Sequence, residues 1–447
     1  MPTYDENTSR TLASLEVAGD AIAPFLASAH VVDVATWIER LPKSGMLQHL
    51  LDLTPERRAR VFSKLTEVCQ SELAVAMSAA ELALIFDRLD PDDRADLVNF
   101  LPPARQRQLL EGLSEEERAD IGRLASHEDR SVGAIMTSGY AVLAAEMIAT
   151  EALAELRRQA PEAETIYRSY VLNDAGRLIG SIRLHELVMA ADQTPVSAVM
   201  ETDPVSVALD ASRETVAQMI ERYDLLAIPV VDAQGTLLGI VTHDDAADAM
   251  QAEMTEDFQK ISTVLPFSQN MRQASIRLLY SRRIVWLALL VFGNLFSGAG
   301  IAYFEETILA YVSLVFFLPL LIDSSGNAGA QSATLMVRAL ATGDVELRDW
   351  RDLIARELFI AAALGITMAA VVFPLGVWRG GADVALVVGL TMFFVVIIGS
   401  LTGMSLPFLL SRLKLDPATA SGPLVTTISD AVGVLIYFSI ATLVLSL

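Results

Sequence analysis

An aspartate stands inside the last apolar stretch of this 447-residue chain. The run Pro423-Leu-Val-Thr-Thr-Ile-Ser-Asp430-Ala-Val-Gly433 belongs to a stretch ending at Leu447 that contains no Lys or Arg to pair with the carboxylate. A charge at membrane depth is costly and marks an ion path or a cation site by default. The competing reading is a protonated structural acid, hydrogen-bonded to a neighbour. A second polar interruption lies earlier, in Pro319 to Arg338, PLLIDSSGNAGAQSATLMVR. Here Asp323, Ser324, Ser325, Asn327, Gln331 and Ser332 follow directly on the apolar run Ile308 to Ile322, interleaved with Gly326 and Gly329. Such groups must face protein or water in a bilayer, and glycines let another helix or a hydrated ion approach the backbone. The stretch is read as a pore-lining helix, against a simpler seam of small residues between helices.

A different set of acids lies outside the apolar stretches. Asp244 to Lys260, DDAADAMQAEMTEDFQK, crowds Asp245, Asp248, Glu253, Glu256 and Asp257 against one lysine. On a helix, residues three or four apart are neighbours, and like charges there repel by a few tenths of a kcal/mol per pair. A divalent cation with oxygen ligands would neutralise them; an exposed, solvated linker helix is the alternative. Asp92 and Asp96 also share a helical face, and by themselves read as surface acids favoured by a helix N-terminus.

The elements that must position these groups fall into three regions. Met1 to about Arg130 reads as short helices in an imperfect repeat, marked by Leu53-Thr-Pro-Glu, Leu89-Asp-Pro-Asp and Leu113-Ser-Glu-Glu. Thr54, Asp90 and Ser114 are the expected N-caps, with Pro55 and Pro91 in first turns. Val61 and Leu65, Leu97 and Leu101, and Ile121 and Leu124 mark the apolar faces. From Ser131 to about Met250, helices Glu151–Arg158 and Arg213–Arg222 alternate with strands Ser169–Leu172 and Leu226–Val231. Turns at Asp174-Ala-Gly176 and Asp232-Ala-Gln-Gly235 follow the strands, as in a twofold α/β repeat. Five apolar segments then reach the roughly 20 residues needed to span a bilayer: Ile284–Tyr303, Ile308–Val337, Leu358–Trp378, Val384–Leu410 and Pro423–Leu447. Cations flank them alternately. Arg272, Arg277, Arg282 and Arg283 precede the first, Arg338, Arg348, Arg351 and Arg356 follow the second, and Arg412 and Lys414 follow the fourth. The opposite loops hold Glu305, Glu306 and Asp383, with Arg379. Basic residues mark the cytoplasmic side, so the large N-terminal part is expected in the cytosol and the C-terminus outside.

Composition narrows the function. Net charge is −22, of which −19 lies in residues 1–282. That balance repels nucleic acid and attracts cations. Cys69 is the one cysteine, in keeping with a reduced cytosolic setting. The N-terminus MPTYDENTSR shows no signal-peptide pattern. Lys43, Lys64, Lys260 and Lys414 sit in no phosphate-binding loop, and the five histidines show no metalloprotease spacing, which argues against ATP-driven transport and against an enzyme.

Gly133-Ala-Ile-Met-Thr and Val196-Ser-Ala-Val-Met open two units that resemble a tandem pair of CBS domains. The second ends Gly239-Ile-Val-Thr-His-Asp-Asp245, and the resemblance implies a nucleotide site, with ATP as the ligand, at Thr242 and Asp245. The first ends Gly180-Ser-Ile-Arg-Leu-His-Glu186, without the Thr and with Glu in place of Asp, so a purely structural pair is the alternative. More broadly, G-N-x-G-x-Q at Gly326–Gln331 and R-A-L-A-x-G at Arg338–Gly343, with Asp416-Pro-Ala and the Asp430 segment, closely resemble the MgtE magnesium channels and transporters. That resemblance implies a homodimeric, multi-pass protein of the cell membrane. Its parts would be an all-α superhelical N domain (1–130), α/β CBS units (131–195 and 196–252), a linking helix (253–282) and a five-helix transmembrane pore domain (283–447). It places the pore site on Asp430 with Thr426, Gly433 and Asn327, between the second and fifth spans. It places Mg²⁺-sensing acids on Asp92, Asp96, Asp224, Asp245, Asp248, Glu253, Glu256, Asp257 and Asp416. The implied function is Mg²⁺ entry into the cytosol down its electrochemical gradient, gated shut by Mg²⁺ bound between these acids. Another divalent ion such as Co²⁺ or Ni²⁺, or a membrane-anchored CBS sensor without flux, are the alternatives. Arg60 stands where some members have an acid, and Asp323 where a small neutral residue is usual.

Overall fold

The computed structural model describes residues 19–128, 130–267, 274–420 and 422–445. The expected Arg272 flank and the N-terminal decapeptide lie outside them. The chain divides into two compact units, Met1–Met250 and Gln251–Leu447.

The first unit begins with short helices running from Gly19–Ser28 to Glu115–Leu124. Val61, Leu65, Leu97, Leu101, Ile121 and Leu124 are all buried, as their spacing predicts. Thr54, Asp90 and Ser114 each precede a helix, and Pro55 and Pro91 open theirs. Only Ser114 among the three caps with its side chain, in a reciprocal box with Glu117; Ser78 does the same with Glu81. Such a box satisfies two backbone donors that the helix leaves open.

Two small sheets follow. In the first, β1 (Tyr140–Ala144) runs parallel to β2 (Thr165–Leu172), which pairs antiparallel with β3 (Leu178–Arg183), and β4 (Glu201–Thr202) closes the edge. In the second, β5 (Val207–Ala208), β6 (Ala227–Val231) and β7 (Leu237–Thr242) repeat the parallel-then-antiparallel pattern. The repeats interlock. Thr137, ahead of β1, bridges Ile240 of β7, and β4, from the start of the second repeat, pairs with β3 of the first. In the β2–β3 turn the capping carboxamide is Asn173, which accepts from Ala175 and Arg177; Asp232 does the same from Gln234 and Thr236 in the β6–β7 turn. Gly176 and Gly235 take the left-handed backbone there (φ +73 and +81).

The second unit is helical. The His243–Ile261 helix starts in the first unit and ends in this one. Ile276–Tyr303 follows, then a short helix Glu305–Ala310, Ser313–Ala341, a 63-residue stretch Trp350–Arg412, and Gly422–Val444. A continuous helix of that length would reach about 95 Å, three times a bilayer core. Gly381 breaks it with φ +84. The two arms then run antiparallel: a Cβ on Gly376 would lie 2.6 Å from the Ala385 Cα, and one on Gly365 would lie 2.9 Å from the Phe393 carbonyl oxygen. Ile276–Tyr303, Leu347–Arg412 and Gly422–Val444 are long and apolar enough to cross a membrane. Ser313–Ala341 is not among them, because its polar run lowers its hydropathy. The expected second span therefore starts five residues late, after a break at Tyr311, and is less apolar than its neighbours.

Candidate functional site

In the first unit, three carboxylates converge. Asp92 sits in the first turn of Pro91–Phe100, Asp245 in the first turn of His243–Ile261, and Glu164 immediately ahead of β2. Each offers an oxygen, and these oxygens all lie within 4.8 Å of one another. Both helices point their N-termini at the group, which favours negative charge. The Thr137 hydroxyl accepts from the Gly139 amide. Thr242 Oγ1 lies 2.8 Å from Asp244 Oδ1 and also bonds Asp245 Oδ2. Asp92 Oδ1 and Glu164 Oε2 are nevertheless buried without a hydrogen-bond partner. Arg94, on the same helix as Asp92, donates to the Leu89 and Asp87 carbonyls.

The charge has nowhere to go. Burial first, and then the neighbouring carboxylates, push Glu164 up to about 9 and Asp93 up to about 8. Burial likewise raises Asp90, Asp92 and Asp245, with the Asp90 charge adding to the rise at Asp92 and the Asp92 charge to that at Asp245. The Thr137 hydroxyl works against the rise at both Asp92 and Glu164. Buried carboxyls that cannot be paired hold protons instead. An all-oxygen, acidic, partly desolvated cluster fits a hard dication such as Mg²⁺. Asp96, Asp224 and Asp248 are exposed and lie outside this three-carboxylate group; Asp224 takes a left-handed backbone, φ +51. The sequence singled out Asp92 and Asp245 but missed Glu164, an isolated acid with no local pattern. Only the β1–β2 pairing brings it in, as the Glu164 amide bonds the Gly139 carbonyl at 2.8 Å.

In the second unit, Glu256 and Asp416 meet at Lys260. Its Nζ is 2.8 Å from Glu256 Oε1 and pairs directly with Asp416 Oδ2. Asp257, half-buried beside them, is pushed up to about 6, by burial first and then by Asp416. Glu253 stands one turn back on the same helix.

The membrane acid is on Gly422–Val444. Asp430 Oδ1 is buried with no hydrogen-bond partner, and so is the adjacent Ser429 hydroxyl. Thr426 and Thr427 donate back to the Gly422 and Pro423 carbonyls, at 2.8 and 2.9 Å, leaving their lone pairs for another ligand. Gly326 lies against Thr426: a Cβ there would fall 2.7 Å from its methyl group. Gly433 is buried near Val395. Asn327 donates to Asp323 at 2.9 Å, and both side chains are exposed on the single chain. Behind them, Glu357 accepts from Ser332 at 2.9 Å and from Ser400, tying three helical segments together; sequence reasoning did not single it out.

Three kinds of similarity bear on this arrangement. Residues 318–440 match the MgtE divalent cation transporter family, residues 29–130 the MgtE intracellular N domain, and residues 132–192 and 196–252 the CBS domain. The chain is 36% identical to the magnesium transporter MgtE of Thermus thermophilus, over 95% of each chain. It is 32% identical to the magnesium transporter MgtE of Bacillus subtilis, over 92% of this chain and 91% of that one. Among solved structures it is similar to the cytosolic domain of the Mg²⁺ channel MgtE in complex with ATP. That likeness has a TM-score of 0.50 and 34% identity, and covers 53% of this chain and 97% of that one.

Proposed function

The chain belongs to the MgtE family of magnesium transporters, membrane proteins rather than enzymes, and from that premise we propose that it is a Mg²⁺-selective channel or transporter admitting Mg²⁺ to the cytosol. The observation that carries this reading is Asp430, an acid on an apolar helix with a buried oxygen that no protein donor satisfies. Mg²⁺ dehydrates reluctantly and keeps several waters. Two Asp430 carboxylates from a homodimer, with Thr426 and Thr427 oxygens and Asn327 nearby, would hold the ion still hydrated. The exposed Asp323–Asn327 pair suits a wet seam between two copies better than lipid. The basic flanks support a cytosolic side for the acidic N-terminal unit.

Regulation follows from the cytosolic acids. Mg²⁺ at Asp92, Glu164 and Asp245 would replace protons and tie the Pro91–Phe100 helix to the start of His243–Ile261. Asp96, Asp224, Asp248, Glu253, Glu256, Asp257 and Asp416 would add further sites when domains or copies meet. Mg²⁺ favouring one arrangement would then shift the population toward a closed gate. ATP at Thr242 and Asp245 would require the Thr242 hydroxyl to leave its two carboxylates.

The test is Mg²⁺ uptake into liposomes by the purified chain, with Asp430→Ala and Asp430→Asn. Loss of flux with intact assembly is expected. Wild-type uptake in Asp430→Ala would remove the pore assignment, no flux in the native chain would favour the anchored sensor, and stronger flux of Co²⁺ or Ni²⁺ in competition would favour another ion.

A further inference from the structure

The Ile276–Tyr303 helix meets the last helix through glycine. A Cβ on Gly293 would lie 2.5 Å from the Thr427 methyl carbon, and one on Gly300 would lie 3.0 Å from Val434 Cγ1. Each pair of contacts is two turns apart on its own helix, so the helices run parallel in one register. Ser297 stands between the two glycines, one turn from each, and Asp430 stands in the same way between Thr427 and Val434. The register therefore sets the serine level with the aspartate. Ile301, one turn beyond Ser297 on the same side, packs against Leu314, Phe317, Val434 and Tyr437. Asp430 lies in one row with Thr426, which meets Gly326, and Val434, which meets Gly300. Both side chains thus belong to the crevice where these two helices and Ser313–Ala341 come together.

Several hydroxyls on the long helices satisfy themselves within their own turn. Ser324, Thr367, Thr426, Thr427 and Thr442 each donate to the carbonyl four residues back. Ser297 does not. Its Oγ is buried without a hydrogen-bond partner, and so is Asp430 Oδ1. A seam made only for close approach would carry Ala or Gly at this position, since a buried hydroxyl left unpaired is costly. Two buried oxygens at one level, one able to donate and the other an acceptor, are the partners that a shared water satisfies. Ser429, whose hydroxyl is equally orphaned, belongs to another face. Val425, one turn before it, meets Gly329, and Gly433, one turn after it, lies by Val395.

We propose that Ser297 is a positioning residue for the membrane acid: it holds Asp430 Oδ1 through one shared water, which turns the second carboxylate oxygen toward the seam between copies and fixes it there for a hydrated dication. A ligand held by its outer neighbours keeps its orientation while ions come and go. The role in permeation rests on the reading of Asp430 as the pore acid; the pairing of Ser297 with Asp430 does not.

The test of the pairing is a double-mutant cycle on the full chain in detergent, read as melting temperature in EDTA for the native chain, Ser297→Ala, Asp430→Ala and the double variant. Ser297→Ala is expected to lower the melting temperature of the native chain and to leave that of Asp430→Ala unchanged or higher, because the shared water has then already lost its acceptor. A fall that is equal in both backgrounds, as simple packing would give, or absent from the native one, overturns the pairing. Mg²⁺ uptake into liposomes reads the positioning. In Ser297→Ala the half-saturating Mg²⁺ concentration is expected to rise about three- to tenfold, the worth of one hydrogen bond, with maximal flux within about twofold of native. Ser297→Thr, which keeps the hydroxyl, is expected to hold the native half-saturation. No change in Ser297→Ala, or a shift in Ser297→Thr as large as with alanine, overturns the positioning role. The melting cycle involves no flux, so it decides the pairing whether or not Asp430→Ala retains uptake, and the two readings fail separately.

Discussion

At the scale of the residue, Glu164 joins Asp92 and Asp245 in the group that we propose as a Mg²⁺ site. Asp92 and Asp245 alone could relax into solvent, but a third carboxylate behind them makes deprotonation costly and a dication favourable. Replacing Glu164 with Gln should raise the Mg²⁺ concentration that slows amide exchange in the Pro91–Phe100 helix by at least about tenfold; exchange that responds to Mg²⁺ as in the native chain would count against the site. The cluster also sets a pH dependence. The folded state holds Glu164 and Asp93 at about 9 and about 8, above their unfolded values, so between about pH 5 and 9 it binds more protons than the unfolded state. Local stability should therefore fall as pH rises through that window in EDTA. With Mg²⁺ bound the fall should vanish, since the ion replaces the protons. Amide protection factors of the same helix, corrected for the intrinsic exchange rate, at pH 6 and pH 9 with and without Mg²⁺ read both signs, and weaker protection at pH 6 than at pH 9 in EDTA would contradict it.

At the scale of the element, glycine decides how closely helices meet. A Cβ on Gly403 would collide with the Gly329 carbonyl, and one on Gly399 with the Ser325 backbone. These contacts seat the Ser313–Ala341 helix against the second arm of the broken hairpin. Gly403→Val should cost about 1–3 kcal/mol through overpacking, seen as a lower melting temperature in detergent, whereas Gly298→Ala, with nothing within 4 Å of the new methyl, should leave it near native. Equal effects of the two would undo this packing account. Elements of this kind were partly legible. Prolines and the N-cap at Ser114 announced helix starts because capping is local chemistry; the box with Glu117 came with the structure. The interlocking of β4 with β3 and of Thr137 with Ile240 was not, because a two-residue strand carries no period of its own.

At the scale of the whole molecule, the exposed polar face of the Ser313–Ala341 helix asks for a covering partner. A second copy is the occupant that the pore reading requires. Asn327→Cys, in a chain with Cys69 replaced by Ala, should form a disulfide-linked dimer under mild oxidation in membranes, in high yield. Asn327 in the single chain is exposed, so failure to cross-link while a lipid-soluble probe labels the cysteine would place it in lipid and remove the shared pore.

The amino-acid order by itself settled the division into an acidic front and an apolar back, the type of each long element, and the unpaired acid in the last helix. Each of these depends on neighbours within a turn or on composition summed over a stretch, which a linear string carries. Which acids converge, which glycines touch across helices, and that Lys260 closes on Asp416 belonged to tertiary structure. Those pairings join residues tens to hundreds of positions apart, and only the folded backbone brings them within the few ångströms over which carboxylates, ammonium groups and close-packed helices interact.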